Sequence, residues 1–464
     1  MLSIFVTTPL VAAATACAFI ASFRAPFLFD DYRHLLFAAN ETWLSLLKRV
    51  VLHHPTGGDL FFRPLGDFVF LWIYQWGHFD FHRWHVAALA LHVVNTLLVM
   101  LLAKRICGGW LGGMMAGLFF GWQAAHVEAV TWVSALYDLL AALFILLALL
   151  EVMSGRRTVW RYVGLLMCGL LACVSKESAY CLPMLAAVLV GFMPADERRL
   201  AWKKVMLLGS ACLSVFLFRY WYLGGLGGYQ ANSGGALAAH FRVLSTVQAI
   251  GLRLWALLFV PLNWSVAPGL VLKIAFICMA VALVGFARAG RLGARRAGLI
   301  GLFVIVAALP VVTLLLIGYD LSGARVLYLP SVGAAILWAE IAESVPDRRL
   351  AVLLCALFLP FQLAALEHNQ AVWVPVAEES RQACAEAGAV LRNDSKATLF
   401  ALDLPRTKNG VYFLQNAFPY CVAVNGRVDD RRISVGDRLP VALRPDEQVG
   451  IWDEALDRLV IRKR

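Results

Sequence analysis

Apolar stretches of about 17 to 25 residues, the length a helix needs to cross the hydrocarbon of a bilayer, recur along this chain as far as residue 366. That recurrence limits the fold more than any motif does. In lipid, backbone polar groups are satisfied only inside helices or closed barrels, so a chain of such stretches is an α-helical polytopic membrane protein. Composition agrees: 61% of the 464 residues are hydrophobic and 15% charged, with fifteen tryptophans and a mean hydropathy of +0.72.

The pattern predicts eleven spans, near 4 to 22, 84 to 103, 110 to 125, 132 to 152, 160 to 175, 178 to 194, 204 to 222, 270 to 287, 298 to 317, 326 to 343 and 350 to 366. The first lacks a charged leading segment and a small-residue cleavage site before "FRAPFLFDD", so it reads as a retained helix rather than a signal peptide. Short loops keep Lys and Arg on the cytoplasmic side. Five loops carry such clusters: Lys104 with Arg105; Arg156, Arg157 and Arg161; Arg198, Arg199, Lys203 and Lys204; Arg288, Arg291, Arg295 and Arg296; Arg348 with Arg349. Eleven spans and a cytoplasmic N-terminus put all five inside. A twelfth span at 243 to 261 would push the cluster at 288 to 296 outside, so that segment reads as an interfacial or re-entrant helix, which also suits its Gln248 and Arg253.

This arrangement describes a multi-pass protein of a bacterial inner membrane, with residues 1 to 366 forming the transmembrane domain and residues 367 to 464 a small β-rich periplasmic domain. In the tail, a charged helical stretch leads into short alternating segments, and Asn425 with Gly426 gives a hairpin signal. A disulfide between Cys384 and Cys421, the two cysteines this topology leaves outside the membrane, is open in an oxidising compartment. The remaining cysteines read as small buried hydrophobes. The net charge of +11 reflects the inner anchors. No basic stripe with interleaved aromatics marks a soluble segment, so nucleic acid is not an expected partner.

On the outer face the topology collects a mixed set of acids and bases. It holds Asp30 and Asp31 of "FLFDDYRHL", His53, His54, Arg63, His126, Glu128, Lys176, Glu177, Asp320 and Arg325. Singly, each reads as a loop charge, a helix cap or a buried ion-pair member. Together they suit a reaction between a phosphate-bearing substrate and a hydroxyl, in which a carboxylate takes a proton and cations hold the departing phosphate.

Six segments in order, "FLFDDYRHL", "FFRPLGDFVFLWIY", "FHRWHVAALALHVVNTLLV", "HVEAVTWVSALYDLLAALFILLALL", "VSKESAYCLPML" and "GARVLYLPSVGAA", resemble the membrane core of the GT-C superfamily of glycosyltransferases. The branch is that of the protein O-mannosyltransferases and TMTC-like proteins, and the likeness runs from about residue 1 to 375. The resemblance implies a polyprenyl-phosphate-linked sugar donor and inverting transfer to a hydroxyl of a protein, glycan or lipid acceptor. By the same likeness Asp30 is the base, Asp31 a supporting acid and Glu128 the second acidic position, with His126 beside it. Arg325 falls where the family places an arginine, against the lipid phosphate, and Arg63 and Lys176 are lesser candidates for that job. No cofactor is implied firmly, though room is left for a divalent cation, Mg or Mn.

The chain also departs from the pattern. Ala324 stands where an acid usually precedes the arginine, and Ala135 to Asp138 read Ala-Leu-Tyr-Asp in place of Gly-Arg-Ala-Asp. The TPR repeats that follow the core in animal relatives are absent from this sequence. The competing function is a flippase or transporter for a lipid-linked glycan, which would favour charges at mid-membrane depth and internal repeats. Neither is visible here.

Overall fold

The computed structural model describes residues 4–52, 60–228, 243–314, 318–439 and 447–462. His53, His54 and most of the Gly-rich segment after Leu223 lie outside these residues. The helices in chain order are α1 (Ile4–Ala18), α2 (Asp30–Asn40), α3 (Trp43–Val51), α4 (Pro64–Gly77), α5 (Phe81–Cys107), α6 (Trp110–Gly121), α7 (Val127–Thr131), α8 (Leu136–Val152), α9 (Val159–Ser175) and α10 (Leu182–Val190). They continue with α11 (Ala195–Leu223), α12 (Val243–Gln248), α13 (Leu254–Phe259), α14 (Leu270–Ala289), α15 (Ala294–Ala308), α16 (Pro330–Ser344), α17 (Arg348–Gln370), α18 (Trp373–Arg392) and α19 (Phe418–Gly426).

The chain is a multi-pass membrane protein. Among the described residues six helical segments are long and apolar enough to cross a bilayer: Phe81–Cys107, Val133–Val152, Ala195–Leu223, Leu270–Ala289, Ala294–Val312 and Arg348–Arg392. Five shorter apolar helices accompany them, Ile4–Ala18, Trp110–Gly121, Val159–Ser175, Glu177–Val190 and Thr246–Phe259. The expected span at 326 to 343 is the 15-residue α16, which is largely buried within the bundle.

Close packing explains why a short helix such as α6 holds its place. Gly109, Gly113, Gly117 and Gly121 recur every fourth residue and form one stripe. A Cβ at Gly113 would meet Met100 O at 2.9 Å, and one at Gly121 would meet Thr15 Oγ1 at 2.3 Å. The bare stripe lets α6 lie directly against α1 and α5, the small-residue packing typical of membrane helices.

At one end of the bundle, acidic side chains near the helix ends hold residues of four of the five basic clusters. Glu151 accepts from Arg161 at 2.6 Å and pairs with Lys204 at 3.3 Å. Glu340 receives Arg296 at 2.6 Å, and Glu343 joins Arg348 at 2.7 Å to Gly112 N at 2.8 Å. The tail sits at the other end, with the ion pairs described below.

In the tail the strands are β1 (Thr398–Leu402), β2 (Thr407–Lys408), β3 (Val411–Tyr412), β4 (Ile433–Gly436), β5 (Glu447–Asp453) and β6 (Arg458–Arg462). Four of them form a mixed sheet in the order β4-β1-β5-β6, with β1 parallel to both neighbours and β6 antiparallel to β5. Cys384 and Cys421 are joined by a disulfide that ties α18 to α19, with Cα atoms 5.8 Å apart.

One expectation fails here. The segment "CVAVNGRV" is no hairpin: Asn425 and Gly426 end α19. The bare Cα of Gly426 is used for helix contact instead, since a Cβ there would come within 2.5 Å of Gly388 Cα on α18. The working Asn-Gly turn is Asn409–Gly410, between β2 and β3, with φ values of 49° and 81°. Consecutive positive φ values are the signature of the tight turn that matches strand twist.

Two ends of opposite character make topology testable. Reporter fusions after Arg157 and after Arg392 should report opposite compartments, and finding both on one side would refute the single-sided grouping of basic loops.

Candidate functional site

The site is assembled where the first loop meets the turns that join α6 to α8 and α15 to α16. Phe29, the residue before α2, takes φ 48° and ψ −121°. A bulky residue with positive φ is strained and persists only when its surroundings enforce it. The turn places Asp30 at the first position of α2, where unpaired helix N–H groups favour negative charge.

The two aspartates then part company. Asp31 is 1% exposed and fully bonded: Oδ2 accepts from Leu28 N at 3.0 Å, and Oδ1 accepts from Ser134 N at 2.7 Å and Ser134 Oγ at 2.6 Å. It is a strut between the first loop and the "TWVS" segment. Burial pushes its carboxyl up to about 7, against the pull of those hydrogen bonds. Asp30 is half-buried. Burial also raises its carboxyl above the usual range, while the charges of Arg325, Arg33 and Arg406 oppose the rise.

Glu128 and Arg325 form a buried ion pair, with Arg325 Nη1 donating to Glu128 Oε1 and Gly323 N donating to Oε2 at 2.7 Å. The guanidinium lies 4.6 Å from the Trp132 ring and 5.5 Å from that of Tyr412. Arg325 therefore stands between the acidic turn and two aromatic faces. Tyr412 comes from the tail and carries no signal in the sequence that would have marked it.

His126 points elsewhere. Its Nε2 is 2.7 Å from Ser331 Oγ, and its ring packs among His92, Phe120 and Tyr328. Fully buried in that cluster, it faces the bundle interior and reads as a packing residue.

Arg63 and Lys176 belong to a second group. Arg63 grips Glu177 with two nitrogens, at 3.0 Å and 2.7 Å, and Arg219 lies 3.9 Å from the same carboxylate. Lys176 pairs with Asp138, the acid that ends the altered Ala-Leu-Tyr-Asp stretch. Arg63, Lys176, Glu177 and Arg219 head a cavity of about 400 Å³ whose other walls are mostly apolar, among them Phe61, Met184, Phe216 and Leu309. Arg219 sits within what reads as a plain transmembrane helix, where an arginine at α11 is the one sequence clue. Arg325 and Asp138 line a small gap with Ser178 and Val311, and those last two residues also line the cavity, so the two groups adjoin.

Asp320 is a turn former: its Oδ1 accepts from Ser322 N at 3.1 Å. Among the described residues no three His, Cys, Asp or Glu side chains converge to hold a cation.

No protein-family model matches the chain. Over 119 residues it is 31% identical to the Protein O-mannosyl-transferase tmtc2 of Xenopus laevis, a match that covers 26% of this chain and 13% of that protein's length. Among solved structures, ArnT from Cupriavidus metallidurans bound to undecaprenyl phosphate aligns over 93% of this chain and 89% of its own, at 15% identity and a TM-score of 0.44. The apo state of ArnT aligns over 89% and 84%, at 16% identity and a TM-score of 0.40.

The buried strut makes a pH-dependent prediction. A carboxyl whose folded pKa is raised favours the protonated fold, so the Asp31 contribution is full below about 3.8 and is lost as pH climbs toward about 7. Unfolding temperature in detergent should fall over that window, and Asp31→Asn should flatten the slope. Identical slopes for variant and wild type would show that Asp31 is not the group responsible.

Proposed function

We propose that this protein is a glycosyltransferase that moves a sugar from a polyprenyl-phosphate donor to a hydroxyl of a protein, glycan or lipid acceptor, inverting the anomeric centre. The reaction would take place at the periplasmic face of a bacterial inner membrane, the side that holds the tail. The observation that carries this reading is the neighbourhood of Asp30: a carboxylate at a helix start, with Arg325 close by and a cation-headed apolar cavity adjoining.

The chemistry follows from those parts. An acceptor hydroxyl is a poor nucleophile at neutral pH, so Asp30 takes its proton as the oxygen attacks the anomeric carbon. The bond from that carbon to the phosphate oxygen breaks, and the electron pair leaves with the lipid phosphate. A carboxyl raised by burial is a better base than a solvated one. Arg63, Lys176 and Arg219 are placed to meet the departing charge at the head of a cavity whose walls suit a polyprenyl chain. Because Arg63 and Arg219 already share Glu177, an incoming phosphate would draw them from it rather than find a bare site. Glu128 keeps Arg325 in place, so its role is to position a cation and not to move a proton.

The purified protein, incubated with a panel of polyprenyl-phosphate sugars and an acceptor, should release free lipid phosphate. Asp30→Asn keeps the shape and deletes the base, so turnover should fall on the order of a hundred- to ten-thousand-fold. Arg219→Gln should raise the donor KM with a smaller effect on turnover. Release by none of the donors, or undiminished turnover in Asp30→Asn, would reject the proposal.

A further inference from the structure

The hairpin formed by β2 and β3 is a device that the membrane core does not supply for itself. Its tip is locked by fit: Gly410 has φ 81°, and a Cβ there would lie 1.7 Å from Asp320 O. Asn263 Nδ2 donates to Asn409 O at 2.7 Å, and Asn263 N in turn donates to Asn369 Oδ1 at 3.0 Å. The ladder continues inward from the tip, with Thr407 opposite Tyr412 and Phe413 N donating to Arg406 O at 2.9 Å. The hairpin is thereby held at its tip and along its ladder, independently of the Tyr412 ring.

So held, the Tyr412 ring lies 5.1 Å from that of Trp132 at 30°, and 5.2 Å from that of Phe29 at 27°. It stacks on the strained residue that aims Asp30 and also lies 5.5 Å from the guanidinium of Arg325. We propose that Tyr412 is a positioning residue of the reaction centre: its ring clamps Phe29 and Arg325 in one geometry, so that the C-terminal domain is a working part of the active site. This rests on the glycosyltransferase reading above. The physical reasons are two. A ring stacked on Phe29 opposes relaxation of its positive φ, which would swing Asp30. A cation set against two neighbouring aromatic rings is attracted to both, and the attraction grows as water is excluded, which favours one rotamer of Arg325. Arg406, at the base of the same hairpin, adds a positive charge felt by Asp30.

The test uses the full chain in detergent with two readouts, turnover on the polyprenyl-phosphate donors and modification of Arg325 by phenylglyoxal, followed by mass spectrometry. Tyr412→Ala should expose Arg325, speeding its modification several-fold, and should lower kcat on the order of a hundredfold with donor KM little changed. Tyr412→Phe keeps the ring and should restore both readouts to wild type. Tyr412→Leu fills most of the space without an aromatic face and should behave as Tyr412→Ala, which separates loss of the clamp from a folding defect. Wild-type modification and turnover in Tyr412→Ala would overturn the proposal, as would a Tyr412→Phe variant as impaired as Tyr412→Ala. If wild type turns over no donor while the modification difference remains, the glycosyltransferase reading fails and the clamp stands as a contact without that chemistry.

Discussion

The Glu128–Arg325 ion pair is the contact on which the rest of the site depends. Two charges withdrawn from water cost several kcal/mol each, and their attraction repays that cost only when geometry and further hydrogen bonds are good. Here the second oxygen of Glu128 takes Gly323 N, and two rings border the guanidinium. The pair joins the turn after α6 to the turn before α16, elements that are otherwise far apart in the chain. Once it is formed, Trp132 has a fixed position, and Phe29 and Tyr412 can pack on it.

The two aspartates of one short motif show how burial assigns roles. They are adjacent in sequence, yet the roughly 100° rotation between neighbouring helix positions sends Asp31 into a cage of three donors and leaves Asp30 facing charge. A strut cannot also be a freely accessible base, because its lone pairs are spent. Asp30 is not caged by such donors among the described residues, which is why the proposed proton transfer is given to it.

Most of the membrane architecture is legible in the sequence because hydropathy is a local property. The runs at 84 to 103, 132 to 152 and 270 to 287 fall on α5, α8 and α14 with small boundary shifts. Asp30 is conspicuous in the sequence as a charge beside an apolar run, and Glu128 and Arg325 as positions that match the motifs of the resembled family. What could not be read was partnership. Arg63 with Glu177, and Lys176 with Asp138, are contacts between distant segments, and no periodicity encodes them. The two Asn-Gly pairs make the same point: only the tertiary neighbours of Gly426 and Gly410 decide which one becomes a turn and which a helix contact. The burial of His126 among His92, Phe120 and Tyr328 is likewise a tertiary matter that its place beside Glu128 in the sequence does not encode.

The position of the hairpin also sets an order of events. Proteins emerge from the ribosome from the N-terminus onward, and early segments can settle before late ones exist. Phe29, Trp132 and Arg325 all precede the hairpin in the chain, so every apolar helix can be in place while the gap beside them is still open. The β2–β3 hairpin then closes it like a keystone set from above, and a chain interrupted before residue 407 would hold every apolar helix yet leave Phe29, Trp132 and Arg325 without their Tyr412 neighbour.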